Sequence, residues 1–277
     1  MSALGPVERA QLRLKRTWHW LKHDRFTRRL VDEDLPLSLD MRSESRTLLL
    51  TFGGMVRDTG IPPFEFFQAT REIPTKRMFV RDMRQAWYHK GIEGYGDTLT
   101  QTADALAELI AGYDVERLVT VGTSAGGYGA LVFGTLLGAD TVLSFAPQTL
   151  IAPEPVAAMG DRRWYEPLSA LDAAGALDHE WTDLRDALPR ARHSPVRYEI
   201  YFCQHNSKPG MGPGRDRMHA ERMRGLDGLR LYRFGRGGHL VVRTLREAGA
   251  LERVLRRALL TEAADRPRER HSAMHGG

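Results

Sequence analysis

Short apolar runs alternate along the chain with segments in which apolar residues recur every three or four positions. The runs predict β-strands, and the periodic segments predict helices. Strand-like runs lie at residues 47–52, 76–81, 118–121, 198–203 and 229–234, with another ending at 147, and helical periodicity appears at 99–110, 128–137, 168–177, 218–223 and 240–251. Strands that alternate with helices are what a parallel sheet needs, so the pattern predicts an α/β protein.

The run at 118–121 leads directly into the sequence GTSAG at residues 122–126, which fits the pattern Gly-x-Ser-x-Gly. A serine on a sharp turn between strand and helix is held in a strained backbone conformation, and the flanking glycines avoid clashes. The helix that follows directs its dipole at negative charge forming near the hydroxyl. Ser124 is therefore a candidate nucleophile, and the alternative is an ordinary glycine-rich turn with a solvated serine.

A serine nucleophile needs a base and an orienting acid. In the fold that uses this kind of turn, the two follow the serine along the chain in the order acid, then base. His239 stands on a glycine-rich loop after the last strand-like run, where a base is expected. Asp216 follows the preceding strand and is the candidate acid, although it also suits the N-cap of the next helix. Glu154 is the second choice for the acid, and a loop histidine that contacts only backbone is the alternative for His239.

The oxyanion hole of such a site takes one amide from the residue after the nucleophile, here Ala125. The second amide comes from a loop after an earlier strand, and Gly53-Gly54-Met55 follow the strand at 47–52. We expect the second donor to be Gly54 or Met55, unless the glycine pair only forms a plain turn.

With FGGM at 52–55, GTSAGG at 122–127, Asp216 and His239 in this order, the chain resembles the α/β-hydrolase superfamily from about residue 46 to 260. The resemblance implies the α/β-hydrolase fold, a mostly parallel central sheet flanked by helices with a small cap insertion. It also implies Ser124 as nucleophile, His239 as base and Asp216 as acid. The chain departs from the family where Phe52-Gly53 replaces the usual His-Gly, and in the unusually long, glycine-rich loop before Asp216.

The resemblance places the cap insertion at about residues 150–194, which cannot belong to the sheet. Trp164 and Tyr165 are candidate walls of the substrate pocket, and ordinary packing within the cap is the alternative. His89 is a further candidate for the pocket wall, with a structural histidine as the alternative.

Composition and charge exclude several classes of protein. With 277 residues, of which 42% are hydrophobic and 27% charged, the chain suits a soluble globular α/β domain. The net charge of +5 is not gathered into a patch with a recognisable nucleic-acid-binding module. Arginines often stand beside acids, as in Asp161-Arg162-Arg163, which predicts a solvated, ion-paired surface. Nucleic-acid binding is therefore not expected.

The single cysteine and the apolar runs indicate the cellular compartment in which the protein is expected. Cys203 ends an apolar strand, so it suits a core thiol, and no internal disulfide can form. No apolar run is long enough for an integral membrane span, and the N-terminus lacks the apolar stretch of a signal peptide. We therefore expect a cytoplasmic protein.

Three regions are expected along the chain. Residues 1–42 form a basic segment whose helical face packs on the protein's own core rather than on a membrane or a partner, and an edge strand suits residues 35–39. Residues 43–260 form the hydrolase domain, and the polar residues 261–277 form a disordered tail.

These features predict a serine hydrolase that cleaves a carboxylic ester or thioester through an acyl-enzyme. The substrate is a small-molecule or carrier-bound acyl compound, no cofactor is needed, and no metal-ligand spacing is present. Two alternatives stay open, an acyltransferase that uses the same triad and a hydrolase-fold protein that only binds a partner. The sequence does not indicate the acyl chain or the oligomeric state.

Overall fold

The computed structural model describes residues 35–55, 65–206 and 214–260. The expected packing of residues 1–34 and the expected disorder of residues 261–277 lie outside the described residues. The described strands are β1 (Leu37–Asp40), β2 (Thr47–Phe52), β3 (Lys76–Val80), β4 (Arg117–Thr123), β5 (Thr141–Phe145), β6 (Arg197–His205) and β7 (Leu229–Arg236).

These strands of the described residues form one sheet in the order β1-β3-β2-β4-β5-β6-β7. The edge strand β1 pairs antiparallel with β3, and the other five pairings are parallel. The sheet is therefore mostly parallel, as predicted, and the carboxyl ends of β4, β6 and β7 lie at the same edge of the sheet.

Helices cover both faces of the sheet. They are α1 (Glu65–Thr70), α2 (Leu99–Ala111), α3 (Ala125–Leu136), α4 (Pro153–Ala158), α5 (Tyr165–Ala173), α6 (Leu184–Ala191), α7 (Arg215–Glu221), α8 (Val241–Glu247) and α9 (Leu251–Leu260), with a 3₁₀ turn at His179–Trp181. The segment predicted as one helix over 240–251 contains α8 and a turn, and a second helix, α9, begins at its last residue. Gly249 adopts a left-handed φ of 60° after α8, which ends that helix and turns the chain into α9.

The core lies on both faces of the sheet, and successive residues of one strand contribute to opposite sides. In β2, Leu48 and Leu50 belong to the hydrophobic cluster of one face, while Leu49 belongs to the cluster of the other. Because both faces are covered, the strands are continuous apolar runs rather than alternating ones. Cys203 of β6 is fully buried among these residues, as expected for a core thiol.

The insertion between β5 and β6 carries α4, α5 and α6, and several hydrogen bonds hold it against the rest of the domain. Arg222, just after α7, donates from both terminal nitrogens to the two oxygens of Asp183, at 2.8 and 2.6 Å. The hydroxyl of Tyr128 in α3 donates to the carbonyl of Trp181 at 2.9 Å. The insertion is therefore hydrogen-bonded both to α3 and to the chain after α7.

None of the described helices has the length and apolar character needed to cross a membrane.

Candidate active site

Ser124 occupies the strained turn that the sequence predicts between β4 and α3. Its φ is 58° and its ψ is −122°, a conformation that costs a residue with a Cβ about 1–3 kcal/mol. A Cβ on Gly122 would lie 2.0 Å from the carbonyl oxygen of Gly126, and one on Gly126 would lie 2.2 Å from that of Phe52. Both glycines are therefore required for the backbone to approach this closely.

His239 and Asp216 contact each other at the edge of the sheet where the Ser124 turn lies. Nδ1 of His239 is 3.1 Å from both carboxylate oxygens of Asp216. Because an ionised carboxylate only accepts hydrogen bonds, Nδ1 of His239 is the donor in this contact. Burial raises the pKa of Asp216, but the hydrogen bonds and charges of His239 and Arg163 outweigh it and bring that pKa below its ordinary value. The pair makes the contact that a general base and its orienting acid require.

The third contact of a triad is not formed in this structure. Among the described residues, the hydroxyl of Ser124 makes no hydrogen bond to His239 or to another group. The serine hydroxyl and the imidazole of hydrolytic sites often come into hydrogen-bond distance only when substrate binds. The Ser124 residue is partly exposed, and the imidazole of His239 is 36% exposed, so both are accessible at this edge.

The loop after β2 packs against the beginning of α3, where an oxyanion hole is expected. The amide of Gly53 donates to the carbonyl of Val80 at 2.9 Å, so this amide is not available to an oxyanion. The amides of Gly54 and Ala125 donate no hydrogen bond to the described backbone. A Cβ on Gly54 would lie 3.1 Å from the carbonyl oxygen of Thr123, which shows how closely the two segments approach. Gly54, Met55 and Ala125 therefore stay candidate donors of the oxyanion hole.

Arg163 of the insertion also contacts the candidate acid, which the sequence did not indicate. Its Nη2 donates to Asp216 at 2.9 Å, its Nε and Nη2 donate to Asp161 at 2.6 to 3.0 Å, and its Nη1 lies 3.4 Å from Nδ1 of His239. Burial lowers the pKa of Arg163, but the two carboxylates outweigh it and raise that pKa above its ordinary value. The expected solvated surface pair is therefore wrong, because the side chains of Asp161 and Asp216 are each only 3% exposed.

Asp161 is in turn held by a buried histidine one turn after Asp216. Nε2 of His219 lies 3.2 Å from Asp161, and the amide of Thr149 donates to Nδ1 of His219 at 3.1 Å. Nδ1 is thus an acceptor, so Nε2 carries the hydrogen and His219 is neutral. Burial lowers the pKa of His219. The carboxylate of Asp216 is therefore part of a buried network that restricts its orientation.

His89 lies in the core, with both ring nitrogens hydrogen-bonded. Nδ1 accepts from the amide of Asp178 at 2.8 Å, so Nε2 donates to the hydroxyl oxygen of Tyr128 at 2.7 Å. The residue is 5% exposed, and burial, with a smaller effect from His179, lowers its pKa to about 3. This position favours the structural alternative for His89 over a place in the pocket wall.

The other predicted pocket residues lie on the insertion. Trp164 is partly buried, and its ring meets that of Trp87 edge-on at 5.6 Å. The hydroxyl of Tyr165 donates to Glu154 at 2.6 Å.

Within the described part of the chain, Glu154 makes no hydrogen bond or ion pair with His239, so Asp216 is the better candidate for the acid. The same residues contain no cluster of three or more His, Cys, Asp or Glu side chains suited to a metal ion.

Comparisons with known proteins support the fold. No protein-family model matches the sequence, and no curated protein matches it. The 2,6-dihydroxy-pseudo-oxynicotine hydrolase matches with a TM-score of 0.55 and 13% identity over 81% of this chain and 64% of that chain. Est1E from Butyrivibrio proteoclasticus matches with a TM-score of 0.53 and 13% identity over 81% of this chain and 94% of that chain.

The capsule O-acetyltransferase of Neisseria meningitidis serogroup A matches with a TM-score of 0.52 and 14% identity over 77% of this chain and 88% of that chain. The chain spans less than two thirds of the length of the first of these three proteins. At such low identities the likeness is one of fold rather than of activity. The mostly parallel sheet, the flanking helices and these structural neighbours show that the chain has the α/β-hydrolase fold.

Proposed function

We propose that this protein is a serine hydrolase that cleaves a carboxylic ester or thioester through an acyl-enzyme. The observation that carries the proposal is the pairing of His239 with Asp216 at 3.1 Å, at the same sheet edge as the strained Ser124 turn. A solvated serine in an ordinary turn would require neither this pairing nor the positive φ. The proposed substrate is a small-molecule or carrier-bound acyl compound, and the unpaired Cys203 supports a reducing, cytoplasmic compartment.

The proposed reaction begins when Oγ of Ser124 attacks the acyl carbon and Nε2 of His239 takes the hydroxyl proton. Asp216 stabilises the imidazolium that results and keeps the ring in the required tautomer. The amide of Ala125, with that of Gly54 or Met55, holds the oxyanion, and each donor contributes roughly 3 kcal/mol. His239 then returns the proton to the leaving alcohol or thiol, and water releases the acyl group by the same sequence of steps.

A fluorophosphonate probe tests the nucleophile directly. The wild-type protein should be labelled, and Ser124→Ala should not be labelled. Ser194→Ala is the matched control, because Ser194 lies at the opposite edge of the sheet, before β6, and should be labelled as the wild type is. Wild-type protein that takes no label would contradict the proposal and favour the partner-binding alternative.

Acyl transfer is the second candidate, and the shared fold with the capsule O-acetyltransferase supports it. The same triad serves both reactions, since only the group that attacks the acyl-enzyme differs. Wild-type protein should be supplied with esters and thioesters of graded acyl length, with and without a sugar, an amine or a thiol as acceptor. Mass spectrometry that detects only the free acid supports hydrolysis, and acylated acceptor as the main product supports transfer.

A further inference from the structure

A cavity of about 490 Å³ lies at the other edge of the sheet, where the parallel strands begin. Arg117 is the first residue of β4, and Ser124 follows the last one, so roughly 20 Å of strand separates the cavity from the candidate nucleophile. The charged residues that line the cavity are Arg117, Asp140, Arg192, Arg197, Asp227 and Arg230. The cavity is therefore separate from the candidate active site and strongly basic.

Arg117 is a buried cation, and two of its nitrogens have no hydrogen-bond partner among the described residues. The residue is 7% exposed, and the two nitrogens without a partner in the described part of the chain are Nε and Nη2. No carboxylate oxygen of the described residues lies within 4.0 Å of its nitrogens. A buried guanidinium with unsatisfied donors is unfavourable, and an oxyanion is the group that satisfies it best.

The two carboxylates of the cavity do not balance its four guanidinium groups. One oxygen of Asp140 accepts from the amide of Leu118 at 2.9 Å, and Asp227 pairs with Arg192 at 2.9 Å. The side chains of Arg197 and Arg230 make no hydrogen bond or ion pair with any described residue. An excess of two positive charges therefore faces the cavity, and one doubly charged anion would neutralise it.

We infer that this cavity binds a phosphate-bearing small molecule through the guanidinium groups of Arg117, Arg197 and Arg230. A phosphate monoester carries about two negative charges near neutral pH and offers three acceptor oxygens, which match the planar fork of arginine. The cavity volume leaves room for an organic group beside the phosphate. The inference does not depend on the proposed hydrolase activity.

Isothermal titration calorimetry on the full chain tests the site, with inorganic phosphate and phenyl phosphate as probes at ionic strength matched by sodium chloride. We expect saturable one-to-one binding. Arg117→Met should weaken it about tenfold or more, since one guanidinium–phosphate pair contributes at least that factor. Arg197→Gln and Arg230→Gln should each weaken it about threefold to tenfold, while Arg185→Gln, which removes an exposed cation outside the cavity, should bind as the wild type does.

If Arg117→Met does not fold, Arg230→Gln still tests the site, because Arg230 is exposed and its replacement should leave folding intact. Tighter binding of phenyl phosphate than of inorganic phosphate would identify an organic phosphate as the ligand, and equal binding would identify phosphate itself. The inference is overturned if the wild type shows no saturable binding. It is also overturned if Arg185→Gln weakens binding as much as Arg197→Gln and Arg230→Gln do, because the anion would then respond only to total charge.

Discussion

Replacing Asp216 by asparagine tests whether its carboxylate stabilises the histidinium that forms during acylation. The carboxylate oxygens lie 3.1 Å from Nδ1 of His239, and Asp216 is buried while the imidazole is partly exposed. Charge centres about 4 Å apart attract by about 4 kcal/mol at an effective dielectric constant of about 20. Loss of this attraction should slow acylation about a thousandfold. Asparagine keeps an oxygen that can accept from Arg163, so the substitution removes charge with little change in shape.

The assay is the rate of p-nitrophenyl acetate hydrolysis near neutral pH, with urea unfolding to confirm that the variant folds. Glu154→Gln, which alters the second candidate for the acid, and Asp104→Asn, which alters an exposed aspartate of α2, should retain the wild-type rate. The reasoning is refuted if Asp216→Asn stays within about tenfold of the wild type while Glu154→Gln loses activity.

Three other predictions concern backbone strain, the buried histidine and the arginine network, and urea unfolding measures all of them. Ser124→Gly should be about 1 kcal/mol more stable than Ser124→Ala, because glycine relieves the positive-φ strain, and equal stabilities would contradict this. Between pH 7 and pH 5, His89 should account for a loss of about 2 kcal/mol, because it binds a proton in the unfolded chain but has a pKa of about 3 when folded. His89→Gln should therefore lose less stability over this interval, and an unchanged pH dependence would exclude the mechanism. Arg163→Met should destabilise the protein by about 3 kcal/mol, because two buried carboxylates lose their cation. Arg162→Met, at the exposed neighbour, should change stability by less than about 0.5 kcal/mol, and similar losses for both would refute the argument.

The strands were predictable because burial on both faces leaves a strong local pattern. The predicted strand at 47–52 coincides with β2, and that at 229–234 lies within β7, which continues to Arg236. The alternation with helices then restricted the fold to a parallel sheet. The order of the motifs along the chain located Ser124, Asp216 and His239, although their catalytic roles remain predictions.

The surroundings of Asp216 were not predictable, because they come from segments distant in sequence. Arg163 and Asp161 belong to the insertion, and no local pattern specifies how an insertion packs on α7. Adjacent opposite charges are usually solvated, so the sequence predicts a surface pair for Asp161 and Arg163, whereas the contact with Asp216 buries it. His89 was ambiguous for the same reason, since its partners are a helix residue and an insertion amide.

The bonds from Tyr128 to the carbonyl of Trp181 and from Arg222 to Asp183 have a consequence for substrate entry. Tyr128 lies one turn after Ser124, so moving the insertion would break a hydrogen bond to the helix that follows the candidate nucleophile. These bonds favour an insertion that keeps its position when a ligand binds. Under the proposed activity, turnover of dissolved esters should therefore begin without a lag and without a lipid interface.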